Sequence, residues 1–544
     1  MISRAAAAVA AAALALLLAA CAAVAPPAER PALVVLLVVD GLPQRQVTAY
    51  RDQLAPDGLA RFLDRGAWFA QAHYGHAFTV TAAGHATLLT GAYPHRTGIV
   101  GNQWRDPQTG ELVYNTGDVS QHYIGHATGP LDGTSPRNLK VDTLGDVLRS
   151  TDLRARVIAI SGKDRGAILP AGRLGTAYMY MATTGRFASS TYYMPQHPAW
   201  VEAFNDARPA DRWFRSEWRP LLPEAAYARS LPDEQPWFRP RSGRLPMAMA
   251  GADQAAPGPA YYASLLRSPF ADQLSLEFAV AAVHAEQLGQ DGVPDILVVS
   301  LSGHDYVNHA FSAESRLSHD HVLQVDRLLQ AFFRELDATV GPGRYVAALT
   351  ADHGFTPAPE VSRARGQEGG RVDWRGVLAR VNAQLQQAFA AGPLVHLSPA
   401  ASLVVDRRLL TLHRLELDRV AEAARAALLR EPGLAAAYTR RELQDRSRIG
   451  APFFDQVLKA WHPQASGDVA YVLRPGWMGS AAGATHGSPH ADDTHVPLLL
   501  WGPPWVKPGR VDTRVEVVDL APTLAQLLRL PPPPASEGRV LPLP

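Results

Sequence analysis

Three aspartates and three histidines stand at the ends of apolar runs, where side chains of these types can converge on metal ions. Asp40 closes the run 33–39. Asp305 and His309 follow the run 296–301 in Ser302-Gly303-His304-Asp305-Tyr306-Val307-Asn308-His309, and one helical turn puts both on one face. Asp352-His353-Gly354 closes the run 345–349, and His486 sits in Thr485-His486-Gly487-Ser488, ahead of the run 496–500. Each alone has an ordinary reading, as a cap, a turn residue or a structural histidine. Together, mixed imidazole and carboxylate donors suit zinc. Two closely spaced ions suit in-line phosphoryl displacement. The expectation is two Zn2+ per chain, with Asp40, Asp305, His309, Asp352, His353 and His486 as ligands. His85, His304, His490 and His495 lie beside these motifs and read as structural or supporting.

A nucleophile is the second requirement. The stretch from Phe78 to Gly91 looks like a turn entering a short helix, and a hydroxyl there meets the amides and dipole that favour a phosphate. A free threonine hydroxyl is a weak nucleophile; coordination to a divalent ion lowers its pKa and activates it. Thr81 is the candidate and Thr79 its nearest competitor, with helix capping the ordinary reading of either.

The elements that must position these groups are legible in the apolar pattern. The run Leu33-Val34-Val35-Leu36-Leu37-Val38-Val39 looks like a parallel strand covered on both faces. Similar runs lie at 157–160, 296–301, 345–349 and 496–500. Between them lie helical stretches. One comes after Ser268-Pro269, a capping serine with proline at the first helical position. Residues 319–338 place Val322, Val325, Leu329, Phe332 and Leu336 at spacings of three and four, and 415–430 and 516–530 are two more helices. The alternation predicts an α/β fold: a three-layer sandwich around a mostly parallel sheet. Active groups at strand ends agree with where open α/β sheets place ligands. Residues 176–262, rich in aromatics and proline, read as an inserted hairpin-and-loop cap. Residues 360–480 read as a small subdomain, within a catalytic domain of 32–530, and 531–544 as a Pro-rich tail.

The 544 residues carry 52 basic and 51 acidic side chains, for a net charge of +1. No basic excess exists to neutralise a nucleic-acid backbone, so nucleic acid is not an expected partner. Residues 1–20 have the form of an export signal, with Arg4 ahead of an Ala/Val/Leu run. Leu18-Ala19-Ala20-Cys21 resembles a bacterial lipoprotein lipobox, which implies a lipidated Cys21, a tether over 22–31 and a periplasmic enzyme anchored to the outer membrane. The ordinary alternative is a plain signal peptide with Cys21 incidental. Cys21 is the chain's one cysteine, so no intrachain disulfide can form.

The segment Thr81 through Asn102, ending Gly98-Ile99-Val100-Gly101-Asn102-Gln103-Trp104, resembles the nucleophile region of the alkaline phosphatase superfamily. The branch it is most similar to is the phosphate-irrepressible bacterial one, related to the nucleotide pyrophosphatase/phosphodiesterases. The resemblance implies a phosphorylated Thr81 and an Asn102, twenty-one residues on, that binds a phosphate oxygen. Ser161-Gly162-Lys163-Asp164-Arg165 matches the Lys-x-Arg of that branch, implying that Lys163 and Arg165 grip the substrate phosphate. A guanidinium can hold two of the three non-bridging oxygens of a monoester. By the same resemblance Asp305, His309 and His486 hold one zinc, while Asp40, Asp352 and His353 hold the other and serve Thr81. The implied activity is hydrolysis of small phosphate monoesters by a monomer. A phosphodiesterase on the same fold is the first alternative, and a non-catalytic zinc- or phosphate-binding lipoprotein the second. A cysteine-type sulfatase fits less well still, because it needs a modified cysteine and the sole cysteine lies at the end of the export segment.

Overall fold

The computed structural model describes residues 30–544. Residues 1–29, where the export segment, the lipidated Cys21 and nearly all of the tether are expected, lie outside them. Nine strands form the main sheet: β1 (Leu33–Val39), β2 (Ala67–Phe69), β3 (Val157–Ser161), β4 (Thr176–Met181), β5 (Arg186–Ala188), β6 (Asp295–Leu301), β7 (Tyr345–Thr350), β8 (Leu498–Trp501) and β9 (Gly509–Val511). Their order is β9-β2-β8-β7-β1-β6-β3-β4-β5. The central strands β7, β1, β6, β3 and β4 are mutually parallel. Every residue of β1, β3, β6 and β7 is buried, as continuous apolar runs require when both faces are covered.

The run at 496–500 differs from expectation. Its pattern resembles that of the parallel strands, yet β8 pairs antiparallel to β7. Apolar continuity reports that both faces are covered; it carries no information about strand direction. The short strands β2, β4, β5 and β9 have no clear apolar run of their own.

Two sets of helices cover the sheet. α1 (Thr81–Thr90) packs on α2 (Asp164–Ala171) and on the helix Leu520–Leu527. On the other side, α3 (Pro269–Ala285) packs on α5 (Arg316–Thr339), which also touches α4 (Gly303–Phe311). The Ser268 hydroxyl accepts from the Phe270 N–H at 3.3 Å, with Pro269 at the first helical position. Val322, Val325, Leu329, Phe332 and Leu336 form the buried stripe of α5.

The aromatic stretch begins inside the sheet, since β4 and β5 supply its edge. Its later part is anchored on α5: the Trp218 indole and the Tyr227 hydroxyl both donate to the buried Asp320 carboxylate, at 2.6 and 2.5 Å. Residues 395–473 hold a separate antiparallel sheet of Val395–Ser398, Ser402–Val405, Val469–Leu473 and Leu434–Thr439. It shares a core with the helices Trp374–Phe389 and Leu417–Leu428, built on Val381, Leu394, Val420 and Val469. The Pro-rich end packs back on the main body, with Leu541 buried and the Glu537 N–H donating to the Gly91 carbonyl at 2.7 Å. No helix among the described residues is long and apolar enough to cross a membrane.

Candidate active site

Strand register assembles the site. Leu33 pairs with Asp295 on β6 and with Tyr345 on β7, so the three strands end level. Asp40, Asp352 and the start of α4, carrying Asp305, therefore emerge at one sheet edge. Gly41, with φ of 72°, turns the chain there; its N–H donates to Asp352 Oδ1 at 3.0 Å and its carbonyl accepts from Asn308 Nδ2 at 3.1 Å. A side chain at position 41 would crowd Asp305 at 3.2–3.3 Å.

The six expected ligands form one cluster, with Asp40, Asp305, Asp352 and His353 buried, His486 partly buried, and His309 on the open side with 32% of its side chain exposed. His353 Nε2 lies 3.3 Å from Asp352 Oδ2 and 3.5 Å from Asp40 Oδ1. Asp305 Oδ1 lies 3.3 Å from His309 Nε2 and 3.6 Å from His486 Nε2. Asp40, Asp352 and His353, and likewise Asp305, His353 and His486, each offer donor atoms within 4.8 Å of one another. The His353 and His486 rings stack at 3.4 Å, so the two groups share a wall. Each histidine is oriented by its other nitrogen: Nδ1 of His353, His309 and His486 faces the carbonyls of Gly354, Ala484 and Thr79 at 2.9, 3.0 and 2.8 Å. Such bonds fix the tautomer that leaves Nε2 free to ligate.

These residues fit metal ions on physical grounds. Asp40 Oδ1, Asp305 Oδ1, Asp352 Oδ2 and His353 Nε2 are buried and make no hydrogen bond. Orphaned polar atoms of this kind are costly unless something cationic satisfies them. Burial pushes the His309 and His486 imidazoles below their usual range, which favours the neutral form a metal needs. Burial, reinforced by Asp352, drives Asp40 well above the ordinary carboxylate range. Burial works the same way on Asp305 and Asp352, but electrostatic interactions with neighbouring side chains outweigh it and hold both below the usual carboxylate range: chiefly His309 and Lys163 at Asp305, His353 and His85 at Asp352.

Thr81 is the first residue of α1, buried, and its hydroxyl makes no hydrogen bond to the protein among the described residues. The Thr79 hydroxyl, its competitor, is committed to the Ser488 carbonyl at 2.9 Å. Asn102 is tied to the same helix start, its Oδ1 accepting from the Ala82 N–H at 2.9 Å. Lys163, expected to contact the substrate phosphate, reaches the ligand cluster itself. Its Nζ donates to Asp40 Oδ2 at 2.7 Å and to Asp305 Oδ2 at 2.6 Å, bridging the two ligand groups. Burial opposes the ammonium charge, yet those two carboxylates outweigh it and raise its pKa.

Arg165 stands at the first turn of α2, its Nη1 3.4 Å from the Tyr114 hydroxyl and 3.6 Å from Asp164. The Tyr114 hydroxyl in turn donates to Asp164 at 2.8 Å, so this pair holds the guanidinium in place. Neither Tyr114 nor Asp164 stands out in the sequence, because Tyr114 has no fixed spacing to the motif it supports. His85 has the supporting place its position suggests: its Nδ1 faces the Thr81 carbonyl at 2.9 Å, with Asp352 Oδ2 3.3 Å away.

A mostly parallel sheet with carboxylate and imidazole side chains gathered at its strand ends, beside a hydroxyl at a helix start, is an arrangement that fits metal-assisted phosphoryl transfer. The type I phosphodiesterase/nucleotide pyrophosphatase family profile matches residues 34–492. The chain belongs to that family, on its bacterial alkaline phosphatase branch. It is 33% identical over 515 residues to alkaline phosphatase PafA of Elizabethkingia meningoseptica, covering 94% of each chain. It is 33% identical over 522 residues to alkaline phosphatase PhoV of Synechococcus elongatus, covering 94% of this chain and 92% of that one. The crystal structure of wild-type PafA superposes with a TM-score of 0.87 at 32% identity, over 94% of this chain and 98% of the other. A phosphonoacetate hydrolase from Sinorhizobium meliloti, at 16% identity and a TM-score of 0.54, shares the fold.

Proposed function

We propose that this protein hydrolyses phosphate monoesters in two in-line displacements through a phosphothreonine at Thr81. Support comes chiefly from the convergence of orphaned carboxylate and imidazole atoms beside a buried hydroxyl with no protein partner. Two zinc ions, one held by Asp40, Asp352 and His353 and one by Asp305, His309 and His486, would supply Lewis acidity for the hydroxyl and for the leaving oxygen. Thr81 Oγ, its proton released, bonds to phosphorus as the ester P–O bond breaks. Water then attacks the same phosphorus, the Oγ–P bond breaks, and inorganic phosphate leaves.

Asn102 and the amides that open α1 hold one phosphate oxygen. Arg165, steadied by Tyr114 and Asp164, grips others, and Lys163 adds a second cation at the rim of the carboxylate cluster. This double positive charge favours the dianion of a monoester over the monoanion of a diester. We place the enzyme in the periplasm, lipid-anchored through Cys21 and acting as a monomer.

The test is hydrolysis of an aryl phosphate and the matching diester by protein lacking residues 1–21, with zinc and after chelation. A zinc-dependent preference for the monoester, lost in Thr81→Ala, is expected. A preference for the diester would overturn the role given to Lys163 and Arg165. Inactivity on both would leave a binding protein.

A further inference from the structure

Beside the ligand cluster the protein encloses a cleft of about 320 Å³. His309, His486 and Asn102 are among the residues that line it. With Thr81 as nucleophile, this is where the alcohol portion of the ester sits, against the side that receives the leaving oxygen. Trp374, Pro399 and Tyr471, between residues 374 and 471, and Phe78 from the turn before α1 line it as well.

Two properties of this cleft are selective. Its lining contains no lysine, arginine, aspartate or glutamate, so a charged leaving group would shed water there without gaining a partner. Trp374 and Tyr471 meet with ring centroids 4.6 Å apart and planes inclined by 40°, forming an aromatic corner rather than a closed stack. Rings favour offset and tilted neighbours at such distances, so a flat ring entering the cleft can pack against this pair. The Tyr471 hydroxyl makes no hydrogen bond to the protein among the described residues, leaving a donor/acceptor for a polar ring edge. The corner is held in position: Trp374 opens the helix Trp374–Phe389 behind the Asp373 cap, and any side chain at Gly479 would strike its Nε1 at 2.2 Å.

We propose that this cleft selects phosphate monoesters whose leaving group is a flat, uncharged aromatic or heteroaromatic ring, through Trp374 and Tyr471. The inference rests on the monoesterase reading and names its substrate class. Aryl phosphates and nucleoside monophosphates both carry such a ring, and assays with each separate the two sources.

The experiment compares kcat/KM for phenyl phosphate, a nucleoside 5′-monophosphate, glycerol phosphate and phosphoserine, in the zinc-loaded protein and its variants. Trp374→Ala and Tyr471→Leu should each lower kcat/KM by about tenfold for at least one ring substrate, mainly through KM. Glycerol phosphate should change by less than about twofold, which also reports intact folding. Trp374→Phe should restore most of the loss. Whichever ring substrate loses more identifies the source. Phosphoserine should be the poorest substrate of the wild type. Equal losses on ring and aliphatic substrates, or none on either, would overturn the inference while leaving the monoesterase reading intact. A wild type inactive on every monoester would remove both.

Discussion

Replacing Lys163 by methionine removes a charge while keeping most of the side-chain volume, and its effect should depend on metal. Lys163 Nζ bridges Asp40 and Asp305 with only 2% of its side chain exposed. Removing one partner of a buried ion pair costs about 3–5 kcal/mol, because the remaining charge is stranded. Here two carboxylates lose their cation. Asp40, already pushed up by burial and by Asp352, can take up a proton, which holds the cost near the lower figure, about 3 kcal/mol. At roughly 2.1 cal/mol/K of unfolding entropy per residue, a domain of this size loses about 3 °C in Tm. Divalent ions neutralise the same carboxylates, so in zinc-saturated protein the loss should fall below about 1 °C. The assay is calorimetric melting of wild type and Lys163→Met at pH 8, chelated and zinc-saturated. An equal drop in both states would refute the reasoning, since Asp40 and Asp305 would then not be the groups that zinc compensates.

Two further predictions rest on other observations. Arg165→Ala should lower kcat/KM for a monoester by about a hundredfold or more and for the matching diester by clearly less, since a bidentate charge-assisted contact to the dianion is lost; equal losses would remove the clamp. Burial pushes His76 down to about 3, with no hydrogen-bond partner for either ring nitrogen, so its neutral form is stabilised by folding. The unfolded chain binds that proton near pH 6.5, so stability is whole above that pH and falls as pH drops towards 3, by about 2 kcal/mol at pH 5. His73, His319, His321 and His462 are pushed down in the same way, so His76→Phe should remove only its own share, about 2 kcal/mol between pH 7 and 5, in denaturant titrations; an unchanged slope would refute that share.

Much of the chemistry is legible in the sequence because it depends on the local order of the chain. A strand covered on both faces must be an uninterrupted apolar run, so the runs at 33–39, 296–301 and 345–349 announce both the sheet and the polar residues that terminate it. Asp305 and His309 share a helix face through their spacing alone, and Thr81 opens α1. None of this depends on which strand lies beside which.

What the tertiary structure decided is everything that depends on neighbours distant in the chain. The direction of β8 is set by backbone pairing with β7, which side-chain patterns do not encode. Thr79 and Thr81 are equivalent as residue types; the Ser488 carbonyl, 409 positions away, occupies one hydroxyl and leaves the other without a protein partner. The Lys-x-Arg motif that suggests Lys163 for a phosphate says nothing of Asp40 and Asp305, whose carboxylates reach it only once β1, β3 and β6 lie side by side. The corner of Trp374 and Tyr471 joins a helix to a strand of the small sheet, and it borders His309 and His486 only because that subdomain packs over the sheet edge. Residue type and spacing set which reactions the side chains can perform. The packing of remote segments set which atoms are left without partners, and those are the atoms free to act.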